Sequence, residues 1–154
     1  MPNLISRAPD HPDALRLIAG SEAEQSALYP PEARFAFSPQ ELIDAGVAFL
    51  VAYGQDGEAL GCGGMAPYRQ ADPPYGELKR IYSAPAARGR GVARRLIAAL
   101  EAEGRARGLG LMRLETGVDS PAALHLYAAL GYARRGPFGD YPDAPTSVFM
   151  EKAL

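Results

Sequence analysis

The sequence predicts a mixed α+β (α/β) fold: a central mixed, largely antiparallel sheet with one parallel strand-helix-strand unit and helices on both faces. Three observations carry this reading. Val92, Leu96, Ile97 and Leu100 recur at helical spacing between two strand-like segments, "ELKRIYS" at 77–83 and "LMRLETG" at 111–117. Strands joined through a helix run parallel with a right-handed crossover. Upstream, "VAFLVAY" (47–53) and "ALGCGGMAPY" (59–68) flank the turn "GQDG", the pattern of an antiparallel hairpin.

Length and composition set the frame. A chain of 154 residues, 47% apolar and 22% charged, is expected to form one globular domain spanning 1–154. Its longest apolar runs fall far short of the ~20 residues of a membrane span. The start "MPNLISRAPDHPD" lacks a basic-then-apolar leader layout. A cytoplasmic protein with no membrane partner is therefore expected. Cys62 is the sole cysteine, so no intrachain disulfide forms, and His11 and His125 make no cluster at metal-ligand spacing. No metal is expected. A net charge of −2 argues against a nucleic-acid partner.

Along the chain, a helix runs from Pro12 to about Ala27 and stops at "YPP". "SPQELIDA" (38–45) repeats the pattern of cap, proline and short helix, and the hairpin follows. After the break "ADPPYG" comes the strand-helix-strand unit. Its helix runs from about Gly91 to Arg107, with Glu101/Arg105 and Glu103/Arg107 as i,i+4 pairs on the wet side and Gly108 as the stop. Ser120 and Pro121 open the next helix, which ends at "LGY" (130–132). "ARRGPF" and "SVFMEKAL" are closing strands around the turn-rich "GDYPDAPT". The last strand either finishes the chain's own sheet or pairs across a two-fold axis, so a homodimer stays open.

The stretch "AARGRGVARRL" (86–96) is an unusual helix start. Gly89 and Gly91 loosen it, no residue is placed to cap it, and Arg94 and Arg95 sit at the positive end of the helix dipole. Uncapped N–H groups at such a point make an anion site. Lys79, Arg80, Arg88, Arg90, Arg94 and Arg95 lie between Glu77 and Glu101 with no acidic residue among them. That island suggests a discrete anionic ligand; taken singly, each is read as part of a solvated charged face. A dinucleotide fingerprint would use Gly89, Gly91 and Glu115, but Arg94 stands where its third glycine belongs.

"RGRGVA" (88–93) matches the R/Q-x-x-G-x-G/A loop of the GNAT superfamily of acyl-CoA-dependent N-acyltransferases. "ELKRIYSAP" precedes it as that family's central strand does, and "SPAALHLYAALGY" (120–132) is similar to its later N-x-x-A-x-x-L-Y-x-x-x-G-F helix. The resemblance covers about 77–132. It implies acetyl-CoA as cofactor, with Arg88, Gly89, Arg90, Gly91, Val92 and Ala93 around the pyrophosphate. It also implies the backbone of Ile81, Tyr82 and Ser83 along the pantetheine arm, where two parallel strands splay. Ser120, where many members carry Asn, and Ala123 would complete the cofactor site.

By the same resemblance Tyr127 is the general acid and Glu77 a general base. Beside these stand plainer readings: Tyr127 packing its ring in the core, and Glu77 pairing with Lys79 or Arg80. Tyr29, Arg34, Tyr68, Glu115, Asp140 and Tyr141, with Asp143, are expected to line the acceptor pocket, the acidic ones suiting a cationic amine. Glu115 otherwise pairs with Arg113 or a neighbouring strand. His125 is read as surface and Cys62 as core. The implied function is acetyl-CoA-dependent N-acetylation of a small molecule or peptide by direct transfer in a ternary complex. The alternatives are a non-catalytic acyl-CoA or nucleotide sensor and an NAD(P)-binding oxidoreductase.

Overall fold

In the computed structural model, which describes residues 2–154, prolines set three helix starts. α1 (Pro12–Leu28), α2 (Pro39–Asp44) and α4 (Pro121–Ala129) carry Pro in the first turn, where its missing N–H is no loss. α2 adds a capping box: Glu41 N donates to Ser38 Oγ at 3.2 Å and Ser38 N to Glu41 Oε1 at 3.0 Å. α3 (Val92–Ala106) has neither device. Gly91 stands at its cap position in the left-handed region, and no side chain caps it.

Seven strands form one sheet: β1 (Asn3–Ser6), β2 (Ala48–Tyr53), β3 (Ala59–Tyr68), β4 (Tyr75–Ser83), β5 (Leu111–Gly117), β6 (Ala133–Arg135) and β7 (Ser147–Ala153). Their order is β1-β2-β3-β4-β5-β7-β6, antiparallel throughout except for β4 with β5. β7 lies between β5 and β6, so it finishes this chain's own sheet. β1 is an addition to the sequence reading; its register with β2, Asn3 opposite Tyr53, is a long-range pairing with no local period to announce it. "ARRGPF" is strand only over Ala133–Arg135, because Gly136 and Pro137 cannot extend the ladder.

α1 and α2 cover one sheet face through Leu17, Ile18 and Leu42, packed on Phe49 and Val51. α3 and α4 cover the other, where Ile97, Leu100 and Tyr127 meet Leu78, Met112 and Leu114. Glu103 pairs with Arg107 at 2.8 Å as the spacing predicts. Glu101 does not pair with Arg105. It is buried toward the sheet, accepting from Tyr132 Oη at 2.7 Å and from Lys152 Nζ at 3.0 and 3.1 Å.

Two irregularities shape the middle of the sheet. The β4–β5 ladder has only the pairs Gly76 with Met112 and Glu77 with Arg113, although β4 runs on to Ser83 and β5 to Gly117. In the β3–β4 ladder Cys62 opposes Tyr82 and Gly64 opposes Lys79, so Arg80 and Ile81 together face Gly63. This bulge holds Arg80 at φ 53° and breaks the expected alternation of "ELKRIYS". Lys79 and Arg80 consequently project to the same face, Lys79 onto the Phe37 ring and Arg80 onto Ser21 and Glu22 of α1, while Ile81 turns to the α3 side.

Candidate active site

Where β4 and β5 part, a cavity of about 380 Å³ opens. Glu77 and Arg80 of β4, Glu115 of β5, and Ala123 and Tyr127 of α4 contribute to its wall. A second cavity of about 590 Å³ adjoins it and shares Arg34, Glu77, Lys79 and Tyr141. Phe35, Phe37, Tyr68 and Tyr75 give this second space an aromatic lining.

The two strand carboxylates differ. Glu77, 2% exposed, lies 2.8 Å from Lys79 Nζ and accepts a hydrogen bond from Tyr141 Oη, which itself accepts from Lys79 Nζ at 2.8 Å. Among the described residues Glu115 has no ion pair; Ser147 Oγ of β7 donates to its Oε2 at 2.8 Å. Burial pushes the Glu115 carboxyl up to about 7, the Ser147 hydrogen bond opposing, the Glu77 charge adding and Lys79 opposing. Tyr127, 7% exposed, is raised well above the usual phenol range, by burial first and then by the charge of Glu115. It therefore stays protonated at neutral pH.

A third carboxylate ties the α1 side together. Glu22 accepts from Arg80 Nη2 at 2.7 Å and from Arg34 Nη1 at 3.1 Å, and the Arg80 hydrogen bond holds it below the usual carboxylate range against the opposing effect of burial. Lys79 and Arg80, read from the sequence as part of a solvated charged face, have side chains only 5% exposed. Regular alternation from Glu77 puts Lys79 on the covered face, the bulge turns Arg80 onto the same face, and each meets a carboxylate there.

At the other end of the parting lies the glycine loop. Gly89 and Gly91 have φ of 78° and 75°, and an added Cβ at either would meet nothing within 4 Å, so the loop backbone is open on its outer side. Arg90 and Arg94 are exposed beside it. Arg88 forms an ion pair with Glu24 and donates from Nε to Ser83 O at 3.3 Å. Val92 is 2% exposed and packs with Leu96, so only its backbone faces the loop, whereas Ala93 is half-buried. Ile81 lines the smaller cavity, while the Tyr82 ring packs over Gly20 of α1.

The remaining predicted positions divide. Arg34 and Tyr141 line both cavities; Tyr68 and Asp140 line the larger one, and Asp143 lines neither. Ser120 occupies the cap position of α4 without capping it; its Oγ lies 3.1 Å from Tyr29 Oη, which also accepts from Asp119 N at 3.0 Å. Tyr29 lines the smaller cavity and fastens the turn between β5 and α4. Glu115 is bound to the neighbouring strand, and Arg113 pairs with Glu151 at 2.7 Å instead. Glu22, Lys79, Phe35 and Phe37 are wall residues that the sequence reading did not place. Of these only Lys79 had a signal, the adjacent basic pair Lys79 and Arg80 inside a strand.

The chain belongs to the acetyltransferase (GNAT) family, whose model matches residues 14–132. Over its whole length, and the whole of the relative's, it is 41% identical to a protein of Azospirillum brasilense named IAA acetyltransferase. The crystal structure of a Klebsiella pneumoniae protein assigned as an acyl-CoA N-acyltransferase superposes with a TM-score of 0.83 at 37% identity, covering 100% of this chain and 98% of that one. A phosphinothricin acetyltransferase of Sinorhizobium meliloti, solved in complex with AcCoA, shares the fold at 22% identity and a TM-score of 0.68, covering 99% of this chain and 88% of that one. Among the described residues, no helix is long and apolar enough to cross a membrane.

Proposed function

We propose that the protein transfers an acetyl group from acetyl-CoA directly to the amine of a small molecule within a ternary complex. The observation that carries this reading is the early end of the β4–β5 ladder, with Glu115 and Tyr127 both on the cavity it opens.

The residues present fit coenzyme A. The open backbone at Gly89 and Gly91 and the uncapped start of α3 suit a pyrophosphate, and β4 beyond Glu77 offers backbone groups to a chain laid in the gap. Arg88, Arg90, Gly91, Val92 and Ala93 would surround the pyrophosphate, with Ile81, Tyr82 and Ser83 along the arm and Ser120 and Ala123 at its far side. When bound, acetyl-CoA supplies the activated acetyl thioester. A protonated amine is no nucleophile, and Glu115, with a carboxyl poised near neutrality, is the group that takes its proton. Tyr127, neutral at the same pH, is the proton source for a leaving thiolate.

Glu77, the other candidate base, has its charge engaged by Lys79 and Tyr141, and we assign it to holding the Tyr141 loop against β4. The sensor alternative leaves Glu115 and Tyr127 without a task, and the dinucleotide alternative finds a single parallel strand pair. The experiment is a thiol-release assay with acetyl-CoA and a panel of amines. Release that depends on an amine supports transfer; stabilisation by acetyl-CoA with no release from any amine would leave a sensor.

A further inference from the structure

We infer that the acceptor is an amino acid with an apolar or aromatic side chain, and that Arg34 binds its carboxylate. This deepens the acetyl-transfer reading and rests on it. The observation is the state of Arg34. Its Nη1 is occupied, donating to Glu22 Oε1 at 3.1 Å and to Ser26 Oγ at 2.6 Å. Its Nε is buried and has no hydrogen-bond partner among the described residues. Buried polar groups are almost always satisfied, and an orphaned donor on a cation is among the costlier exceptions. Arg34 lies on the wall shared by both cavities. That donor meets a ligand acceptor once the guanidinium turns toward the cavity, and its edge then suits the planar two-oxygen geometry of a carboxylate.

The charges point the same way. The smaller cavity carries Arg34, Lys79 and Arg80 against Glu22, Glu77 and Glu115. Glu22 and Glu77 offset two of those three cations and Glu115 is only partly ionised near pH 7, so positive charge remains in excess for a ligand carboxylate to meet. An acceptor carrying a second cation in place of the carboxylate would meet that same positive excess. The zwitterion fits end to end: the amine toward Glu115, the carboxylate on Arg34, and the side chain in the adjoining space between Phe35, Phe37, Tyr68 and Tyr141. Its volume of about 590 Å³ lies within the range of small-molecule sites.

The test is calorimetric binding to the CoA-saturated protein, comparing each apolar and aromatic amino acid with its decarboxylated amine, for example L-phenylalanine with phenethylamine. At least one amino acid should bind about tenfold or more tighter than its amine, since a site built to meet a polar group rejects the analogue lacking it. Arg34→Gln should collapse that ratio toward one. Arg34→Lys, which keeps a cation beside Glu22 but not the planar fork, should lose most of it and serves if the glutamine variant fails to fold. Amines binding as well as their amino acids, no amino acid binding at all, or a preference unchanged in either variant overturns the inference. The parent reading fails differently: no amine of either kind then releases thiol from acetyl-CoA.

Discussion

Glu77 and Glu115 look into one cavity from the two strands that part, yet Lys79 Nζ stands 2.8 Å from Glu77 while the side-chain partner of Glu115 among the described residues is the hydroxyl of Ser147. Burial raises the Glu115 carboxyl to about 7, where it can take up a proton near neutral pH. The activity, as kcat/KM, is therefore expected to rise with pH to a plateau above about 7, following the Glu115 carboxyl. Glu115→Gln should lower kcat by roughly 10²-fold or more and remove the acid limb. Glu77→Gln should keep the limb. Rate-pH profiles of the three proteins decide it, and an acid limb retained in Glu115→Gln would move the base elsewhere.

The same carboxyl makes a stability prediction of definite sign. Its folded value, about 7, lies above the ordinary 4.5, so between those values the unfolded chain has released a proton that the folded chain keeps. This contribution is complete below 4.5 and is lost as pH rises through 7. Glu115→Gln has no such loss. Its melting temperature relative to the natural protein should be higher at pH 8 than at pH 5, measured by thermal unfolding at both. A difference that is flat with pH would mean the carboxyl is not held protonated.

Legibility in the sequence followed the range of the interaction. The strand-helix-strand unit, the hairpin over 47–68 and the glycine loop are written in local period and turn chemistry, and their predicted boundaries lie close to those observed. β1 is fixed by pairing with β2, and the bulge at Arg80 and Ile81 by strain against β3, neither of which has a local mark. That bulge decides where Arg80 goes and so puts it beside Lys79 on the covered face, an arrangement that strict alternation does not announce. Glu101 shows the same limit from the helix side: its i,i+4 partner is present in sequence, but Tyr132 and Lys152 take it.

Tyr127 packs edge-on to Tyr132 with ring centroids 5.9 Å apart, so its ring is part of the core whatever its hydroxyl does. Tyr127→Phe keeps that packing and removes one oxygen. Turnover should fall by roughly 10²-fold or more, with acetyl-CoA binding unchanged. Calorimetry and steady-state kinetics separate the two. Unchanged turnover would leave Tyr127 with the packing role alone.

Gly91 joins the loop to α3 at φ 75° and ψ 15°, where a side chain is disfavoured by about 1–2 kcal/mol. Space is no obstacle, since an added Cβ meets nothing within 4 Å, so the backbone must either strain or leave that conformation. Gly91→Ala should lower the melting temperature by roughly 2–8 °C, at about 2–4 °C per kcal/mol for a chain of this size. The larger effect should be on the ligand. Acetyl-CoA at a hundred times its Kd adds about 2.7 kcal/mol, a rise of roughly 5–10 °C in the natural protein. If the N–H groups at the start of α3 hold the pyrophosphate, a backbone that has shifted there loses most of that rise. Arg88→Ala is the companion: its ion pair with Glu24 is half exposed and contributes little to folding, so a reduced acetyl-CoA shift on an unchanged baseline isolates its contact with the ligand. Full stabilisation of both variants by acetyl-CoA would place the cofactor away from this loop, and the open backbone at Gly89 and Gly91 would then be a turn and nothing more.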